Sequence, residues 1–286
     1  TSSSAASDVY KRQVLSFAQP AMVVVGAGFI SYFATQLGIP FIFAFIIGII
    51  LTGLLGFILE RTFLRPMVGE PVFSVAVLTI GIDILLRVVL DNWIGINPKY
   101  MGDPFPSYGN FGSLNIGGLT VKYLEVTALI TSLVLISILS VFFKRSKYGV
   151  AMRATSLDQE AALAQGINVG RVFGLVWFIA GLLAAFAGFF ITGGFNTLTN
   201  TSFISALRAL PAVVIGGLDS ITGAIIGSLI IGLTQAYVGY YQFDIESAYN
   251  IKLGNGFSIV APYLIMFVIL LVKPHGLFGT EEVERV

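Results

Sequence analysis

Long runs of apolar residues that carry almost no charge constrain this 286-residue chain more than any other feature. A bilayer core of roughly 30 Å is crossed by about 20 helical residues. Only 11% of the residues are charged and the mean hydropathy is +0.90, which is more hydrocarbon than the surface of a soluble domain can accommodate. The sequence therefore predicts an all-α fold, a polytopic transmembrane helical bundle of about eight membrane segments. The predicted segments are 14–37, 40–59, 71–90, 121–143, 171–193, 203–216, 220–242 and 256–272.

The placement of Lys and Arg predicts which loops face the cytoplasm, because positive charge is concentrated on that side. One set of loops carries eleven of these residues, and the opposite set carries three, Lys99, Lys122 and Lys252. The loop 144–170 and the C-terminus are therefore predicted to be cytoplasmic, and 91–120 is predicted to be an outer interfacial cap. This topology requires the short segment 203–216 to cross the membrane. The eleven residues are Lys11, Arg12, Arg61, Arg65, Lys144, Arg145, Lys147, Arg153, Arg171, Lys273 and Arg285.

Several kinds of chemistry are made improbable by what the chain lacks. It has no cysteine, only one histidine (His275) and no G-x-x-x-x-G-K-[ST] sequence for cradling nucleotide phosphates. No pair of carboxylates stands at the spacing of a general acid and base within a predicted segment. The net charge of +1 does not indicate a basic surface for binding nucleic acid. We therefore expect a protein that is not an enzyme, binds no cofactor or metal of its own and does not bind nucleic acid.

The predicted cytoplasmic loop contains the signals of a short helix. Ser156 or Asp158 is placed to cap its first turn, Glu160 adds an acid where the helix dipole favours one, and Gly166 stands where a left-handed stop is expected. A short helix over 158–165, held outside the membrane, suits docking to a soluble partner. The alternative is an ordinary solvated turn whose basic residues only set the topology.

The same loop carries a recognisable motif. Glu160-Ala161-Ala162-x-x-x-Gly166 resembles the E-A-A-x-x-x-G pattern of ABC-importer permeases, and its surroundings resemble the branched-chain amino acid permease family, with the loop closer to the LivH type. Further stretches agree with that family. They are Glu60-Arg61-x-x-x-Arg65-Pro66, Leu78-Thr79-Ile80-Gly81, Ala212-Val-Val-Ile-Gly216-Gly217-x-x-Ser220-Ile-x-Gly223-Ala and Lys273-Pro274-x-Gly276-Leu-Phe-Gly279.

The resemblance implies a pore-forming subunit of an ATP-driven importer in a bacterial or archaeal inner membrane. Its partners would be cytoplasmic ATP-binding subunits, a second permease subunit of a different chain, a periplasmic substrate-binding protein and membrane lipid. The substrates would be leucine, isoleucine and valine; relatives also move urea, short amides or other amino acids. The residues expected to couple the ATPase to transport are Arg153, Asp158, Glu160, Ala161, Ala162 and Gly166.

The resemblance covers residues 15–279, and we expect one transmembrane permease domain over 14–286. Residues 1–13 are polar and fit neither a signal peptide nor a span, so we expect a disordered or artefactual tail. Family members usually begin with one more span than this chain shows.

The polar and flexible positions inside the predicted segments are candidates for the translocation path. Asp83 and Arg87 are four residues apart on one helix face, where they can guide a zwitterionic substrate or form a purely structural pair. Gly216-Gly217 can act as a hinge or serve close packing. The candidates are Thr79, Asp83, Arg87, Arg208, Gly216 and Gly217.

Two other classes of protein remain open at this point. One is a secondary transporter driven by an ion gradient through its ionisable intramembrane residues, and the other is a structural or assembly membrane protein. A secondary transporter works in vesicles from an ion gradient alone, whereas a permease of an ATP-driven importer is inert without its ATPase.

Overall fold

The structure is a computed structural model, and it describes residues 16–67, 70–95, 97, 99–102, 112–116, 119–193, 197–199, 202–218, 220–252, 254 and 256–279. The predicted tail over residues 1–13 lies outside these ranges and stays a prediction. The helices are α1 Gln19–Ser31, α2 Phe41–Leu59, α3 Val72–Ile94, α4 Tyr123–Arg145, α5 Lys147–Leu157, α6 Gln159–Ala164, α7 Val169–Thr192, α8 Ser202–Leu207, α9 Ala209–Gly216, α10 Ile221–Tyr249 and α11 Phe257–Val272.

Most of the predicted membrane segments are long apolar helices. Among the residues that the structure describes, five helical stretches are long and apolar enough to cross a membrane, and Ser202–Gly216 and Phe257–Val272 are shorter apolar helices. The five are Phe41–Met67, Phe73–Trp93, Tyr123–Arg145, Val169–Thr192 and Ile221–Tyr249. Large apolar side chains stay exposed along these helices, such as Phe73, Leu133, Leu229 and Phe267. Such surfaces are stable only in contact with lipid or a protein partner, so the prediction of a transmembrane helical bundle is confirmed.

Two segments differ in detail from the prediction. The segment predicted over 14–37 is the 13-residue helix α1 followed by a π-helical turn, Tyr32–Gln36. The segment 203–216 is broken at Arg208 into α8 and α9. Because its 14 residues span only about 21 Å as helix, the crossing that the predicted topology requires of it stays a prediction.

Helix α1 forms the centre of the first of two compact units, which ends at Ala206. Eleven of its 13 residues are buried, and it packs against α2, α3 and α7. Glycine permits backbone-to-backbone contact where α7 crosses α1 and where α7 crosses α2. A Cβ atom on Gly26 would lie 2.6 Å from the Cα of Ala185, and one on Gly181 would lie 2.4 Å from the carbonyl oxygen of Thr52.

The second compact unit begins at Leu207 and contains α9, α10 and α11. At one end of this unit the chain after α11 folds back onto the end of α9, where the amide of Leu277 donates to the oxygen of Ile215 over 2.8 Å. Gly217 and Gly276 have φ angles of +100° and +79°, which only glycine adopts without strain. Two stretches that the sequence presented as separate motifs, 212–224 and 273–279, are therefore hydrogen-bonded to each other. The division into two units leaves the expected single domain over 14–286 a prediction.

Part of the stretch 91–120 is a β-hairpin, which the sequence analysis missed. Strand β1, Ser113–Ile116, pairs antiparallel with β2, Leu119–Lys122, in a register that joins Ile116 to Leu119. The signal was present, because a two-residue Gly-Gly connection between short strand-forming stretches favours a hairpin. The expected interfacial cap over 91–120 falls partly outside the described residues.

Candidate coupling loop and intramembrane polar site

The loop between α4 and α7 is a pair of short capped helices. Ser146 caps α5 by accepting from the amide of Gly149 over 2.9 Å. Asp158 caps α6 with its Oδ1 atom, which accepts from the amides of Glu160 and Ala161 over 2.9 and 3.0 Å. The predicted short helix with an Asp158 cap is confirmed; of the two cap candidates, Ser156 instead donates to the oxygen of Arg153.

Gly166 ends α6 as the sequence predicts. Its φ is +80°, the left-handed conformation that glycine adopts most readily. The amide of the next residue, Ile167, returns to the oxygen of Ala162 over 3.0 Å. Asn168 then caps α7 by accepting from the amide of Arg171 over 3.0 Å. The turn therefore fixes the direction in which the loop enters the long helix.

The α5–α6 loop presents an exposed surface of mixed character. Ala162 is buried, while Arg153, Glu160 and Ala161 are exposed. Leu157 and Leu163 are 71% and 57% exposed, although they stand on a loop outside the long apolar helices. The sequence analysis missed these two leucines, since a Leu in an amphipathic pattern is expected to face inward. An exposed carboxylate between two exposed leucines is a surface suited to protein docking.

Glu60 and Arg65 hold the start of α7 next to this loop, a role that the sequence analysis did not assign. Glu60 is 2% exposed. The guanidinium of Arg65 donates to both of its carboxylate oxygens, over 3.4 and 3.2 Å, and to the oxygen of Gly170 over 2.8 Å. The only sequence signal was the family motif at 60–66.

Thr79 and Asp83 cap the buried start of α1. The residue before that helix is Ala18, which carries no capping side chain. The oxygen Oγ1 of Thr79 accepts from the amide of Phe17, and Oδ1 of Asp83 accepts from the amide of Ala21, each over 3.1 Å. Asp83 lies 11 residues into α3, about 16 Å along that helix. A helix end at such depth has no water to satisfy its amides, so α3 supplies the acceptors.

Arg87 completes this polar cluster in the first unit. Its Nη2 atom donates to Oδ2 of Asp83, and its guanidinium lies 4.1 Å from the centroid of the Phe203 ring. Its Nε atom is buried and has no hydrogen-bond partner among the described residues. Both oxygens of Asp83 are thus engaged within the protein, which favours the structural alternative for this pair. The structure brings Thr79, Asp83 and Arg87 together.

The remaining path candidates belong to the second unit. Arg208 is the residue at which α8 gives way to α9. Gly216 packs directly on the first turn of α10, since a Cβ at Gly216 would lie 2.2 Å from the carbonyl carbon of Gly223. Close packing therefore accounts for Gly216 and the left-handed turn accounts for Gly217, with no hinge required.

No three His, Asp or Glu side chains are grouped to hold a metal ion within the part of the chain that the structure describes. The expectation of no metal or cofactor stays a prediction.

The apolar helices pack on one another through glycine and are joined by a capped helix pair, which is the architecture of a multi-pass membrane protein. The chain belongs to the family described as the permease component of branched-chain amino acid transport systems, whose sequence profile matches residues 9–272. No solved structure matches the chain.

The sequences of three relatives align with this chain along most of their own length. The permease protein BraD of a high-affinity branched-chain amino acid transport system in Pseudomonas aeruginosa is 27% identical over 244 residues, which is 85% of this chain and 76% of BraD. LivH of Salmonella typhimurium is 30% identical over 85% of this chain and 75% of its own. The probable LivH of Methanocaldococcus jannaschii is 28% identical over 94% of this chain and 84% of its own. The predicted family is confirmed.

Proposed function

We propose that this chain is the membrane permease subunit of an ATP-binding cassette importer that moves leucine, isoleucine and valine across the cytoplasmic membrane of a bacterium or archaeon. The observation that carries the proposal is the α5–α6 loop, whose exposed Leu157, Glu160 and Leu163 lie shortly before the long apolar helix α7. A purely structural membrane protein has no need of such a surface beyond the bilayer. The substrate class rests on the names of relatives whose sequences align with 85% of this chain at 27% and 30% identity.

The ATP would be bound by separate cytoplasmic subunits that dock on this loop. Glu160 offers a charge to the docking groove, Ala161 lies beside it, and Ala162 anchors the helix inward. Asp158 and Gly166 keep the short helix at a fixed angle, and Arg153 adds a polar contact. The chain itself would carry no ATPase site, cofactor or metal.

A second permease subunit of a different chain would complete the path, and a periplasmic binding protein would deliver the substrate at the outer side. The cytoplasmic side would hold the α5–α6 loop and the C-terminus. Contacts within each unit support this assignment. Arg65 bonds to Gly170 at the start of α7, and the chain at Leu277 bonds to Ile215. In both cases two stretches predicted to share a membrane face are adjacent.

In the membrane, the Asp83–Arg87 pair supports the path by fixing α1 on α3, with Thr79 as the second cap. Within this cluster, Arg87 still has an unused hydrogen-bond donor, because its Nε is buried without a partner among the described residues. Arg208, Gly216 and Gly217 shape the second unit. Alternating access would follow from rigid-body movement of these helix groups.

The test is co-purification from membranes with the ATP-binding subunits of the same transport system. Wild type is expected to retain them, and Glu160→Lys is expected to lose them. Glu125→Lys is the matched control, because it makes the same charge change at the far end of α4, on an exposed side chain. Equal association of both variants would refute the docking role of Glu160. No association of the wild type would refute the importer and favour the ion-driven transporter.

A further inference from the structure

We propose that Glu60 and Arg65 are positioning residues that fasten the start of α7 to the end of α2, so that displacement of the α5–α6 loop moves both helices together. The inference rests on the proposed function and extends it, because it assigns the transmission step to a pair of residues outside the loop. Neither residue touches the substrate or the ATP-binding subunits in this account.

The pair is built as a three-way contact. Arg65 donates through Nε and Nη2 to the two carboxylate oxygens of Glu60, and the same Nη2 donates to the oxygen of Gly170. The planar guanidinium is suited to this geometry because it presents several donors in one rigid fork. Glu60 is 2% exposed, whereas the side chain of Arg65 is 39% exposed. The arginine thus bridges a buried acid and a helix end.

The surface that faces this pair on α7 consists of glycines. A Cβ atom on Gly170 would lie 3.4 Å from Cζ of Arg65, and one on Gly174 would lie 3.4 Å from Oε2 of Glu60 and 2.7 Å from Phe57. These two glycines are four residues apart, so they lie on the same face of the helix. A Cβ at either position would meet the ion pair at ordinary van der Waals distance, so the pair lies in direct contact with the first turns of α7, and the steric conflict at Gly174 is with Phe57.

The loop is short enough to transmit movement to this contact. Gly170 is the second residue of α7, and only Gln165, Gly166, Ile167 and Asn168 separate α6 from that helix. The turn at Gly166 and the Asn168 cap fix their course. A push on α6 therefore reaches α7 at the turn that Arg65 holds.

Beyond that turn, α7 is packed tightly along its length. A Cβ on Gly56 of α2 would lie 2.4 Å from the oxygen of Trp177, and one on Gly188 of α7 would lie 2.1 Å from the oxygen of Val23 on α1. Helices in direct backbone contact move as one body rather than sliding on flexible side chains. Without the Glu60–Arg65 pair, the first turns of α7 can bend away from α2 before this packed region is moved.

The first experiment measures substrate imported per ATP hydrolysed by the assembled importer in proteoliposomes. Arg65→Ala is expected to lower this ratio about 5-fold or more, while ATP hydrolysis continues. Arg65→Lys is expected to be intermediate, because an ammonium cannot reproduce the planar fork. The control is Arg61→Ala on the same turn, an exposed side chain with no ion pair within the described residues. An unchanged ratio in Arg65→Ala overturns the proposal.

The second experiment needs no partner subunits and uses amide hydrogen exchange on the isolated chain in a lipid nanodisc. Arg65→Ala is expected to speed exchange at residues 166–173, and Arg61→Ala is expected to leave it unchanged. Unchanged exchange in Arg65→Ala overturns the contact itself. Faster exchange with an unchanged transport ratio overturns the transmission role. If the wild-type assembly imports nothing with ATP, the proposed function fails whatever the exchange experiment gives.

Discussion

Replacing Asp83 tests whether this intramembrane carboxylate is a structural cap. Asp83→Ala removes the acceptor for the amide of Ala21 and the partner of Arg87. Loss of a helix cap costs about 1 kcal/mol, and breaking a buried ion pair costs about 3–5 kcal/mol when the remaining charge is fully buried. The side chain of Arg87 is 25% exposed, and a long arginine can turn its charge toward the membrane interface, which reduces the second contribution to about 2 kcal/mol.

Asp83→Ala is therefore expected to destabilise the first unit by about 3 kcal/mol. Asp83→Asn keeps a carbonyl oxygen for the Ala21 amide but loses the ion pair with Arg87, so it is expected to cost about 2 kcal/mol. The assay is thermal unfolding in mild detergent followed by tryptophan fluorescence, since the only two tryptophans, Trp93 and Trp177, both belong to that unit.

The control for the Asp83 series is Asn92→Ala, an exposed residue on the same helix whose side chain donates to the oxygen of Val88 and to no other group among the described residues. Its cost is expected to stay within about 0.5 kcal/mol. If Asp83→Ala is no more destabilising than this control, the capping role is refuted. If Asp83→Asn folds with wild-type stability but imports nothing, the carboxylate acts on the substrate instead.

Three further predictions concern glycines and the loop. Gly216→Leu is expected to lower the free energy of unfolding of the second unit by more than about 2 kcal/mol, because Gly223 already fills the space next to it. The control is Gly232→Leu, which is expected to be neutral because a Cβ there meets nothing within 4 Å. Equal melting temperatures of the two variants would contradict this prediction. Asp158→Ala removes the one oxygen that accepts from the amides of Glu160 and Ala161, so amide exchange across α6 is expected to rise about 5-fold; unchanged exchange would be the contrary result. Gly166→Ala strains a φ of +80° by about 1 kcal/mol, and co-purified ATP-binding subunit should fall about 5-fold; full recovery would contradict it.

The helices and the loop were predictable because their signals are local. Runs of apolar residues gave the long spans, and Asp158 and Gly166 marked the start and end of α6 within eight residues. The short-range pattern at Ser220, which caps α10 through the amide of Gly223 over 2.9 Å, is local in the same way.

The contacts that define the polar site and those that hold the start of α7 were not predictable, because they join residues far apart in the sequence. Asp83 and Ala21 are separated by 62 positions, and Arg65 and Gly170 by 105. The pairing of Asp83 with Arg87 was expected from their spacing, but the amide that occupies the other carboxylate oxygen depends on how α1 packs on α3. The helix break at Arg208 was also missed. Its sequence signal is Pro211, which lies in the first turn of α9, the part of a helix where proline is tolerated.

In the proposed function, ATP hydrolysis by docked subunits drives import through this chain. The most direct measurement is uptake of labelled leucine into proteoliposomes that contain this chain, its partner permease and the ATP-binding subunits, with the binding protein on the outside. We predict uptake that requires ATP inside the vesicle, persists without any ion gradient and is abolished by Glu160→Lys. Uptake driven by an ion gradient in the absence of ATP, unaffected by Glu160→Lys, would contradict the account.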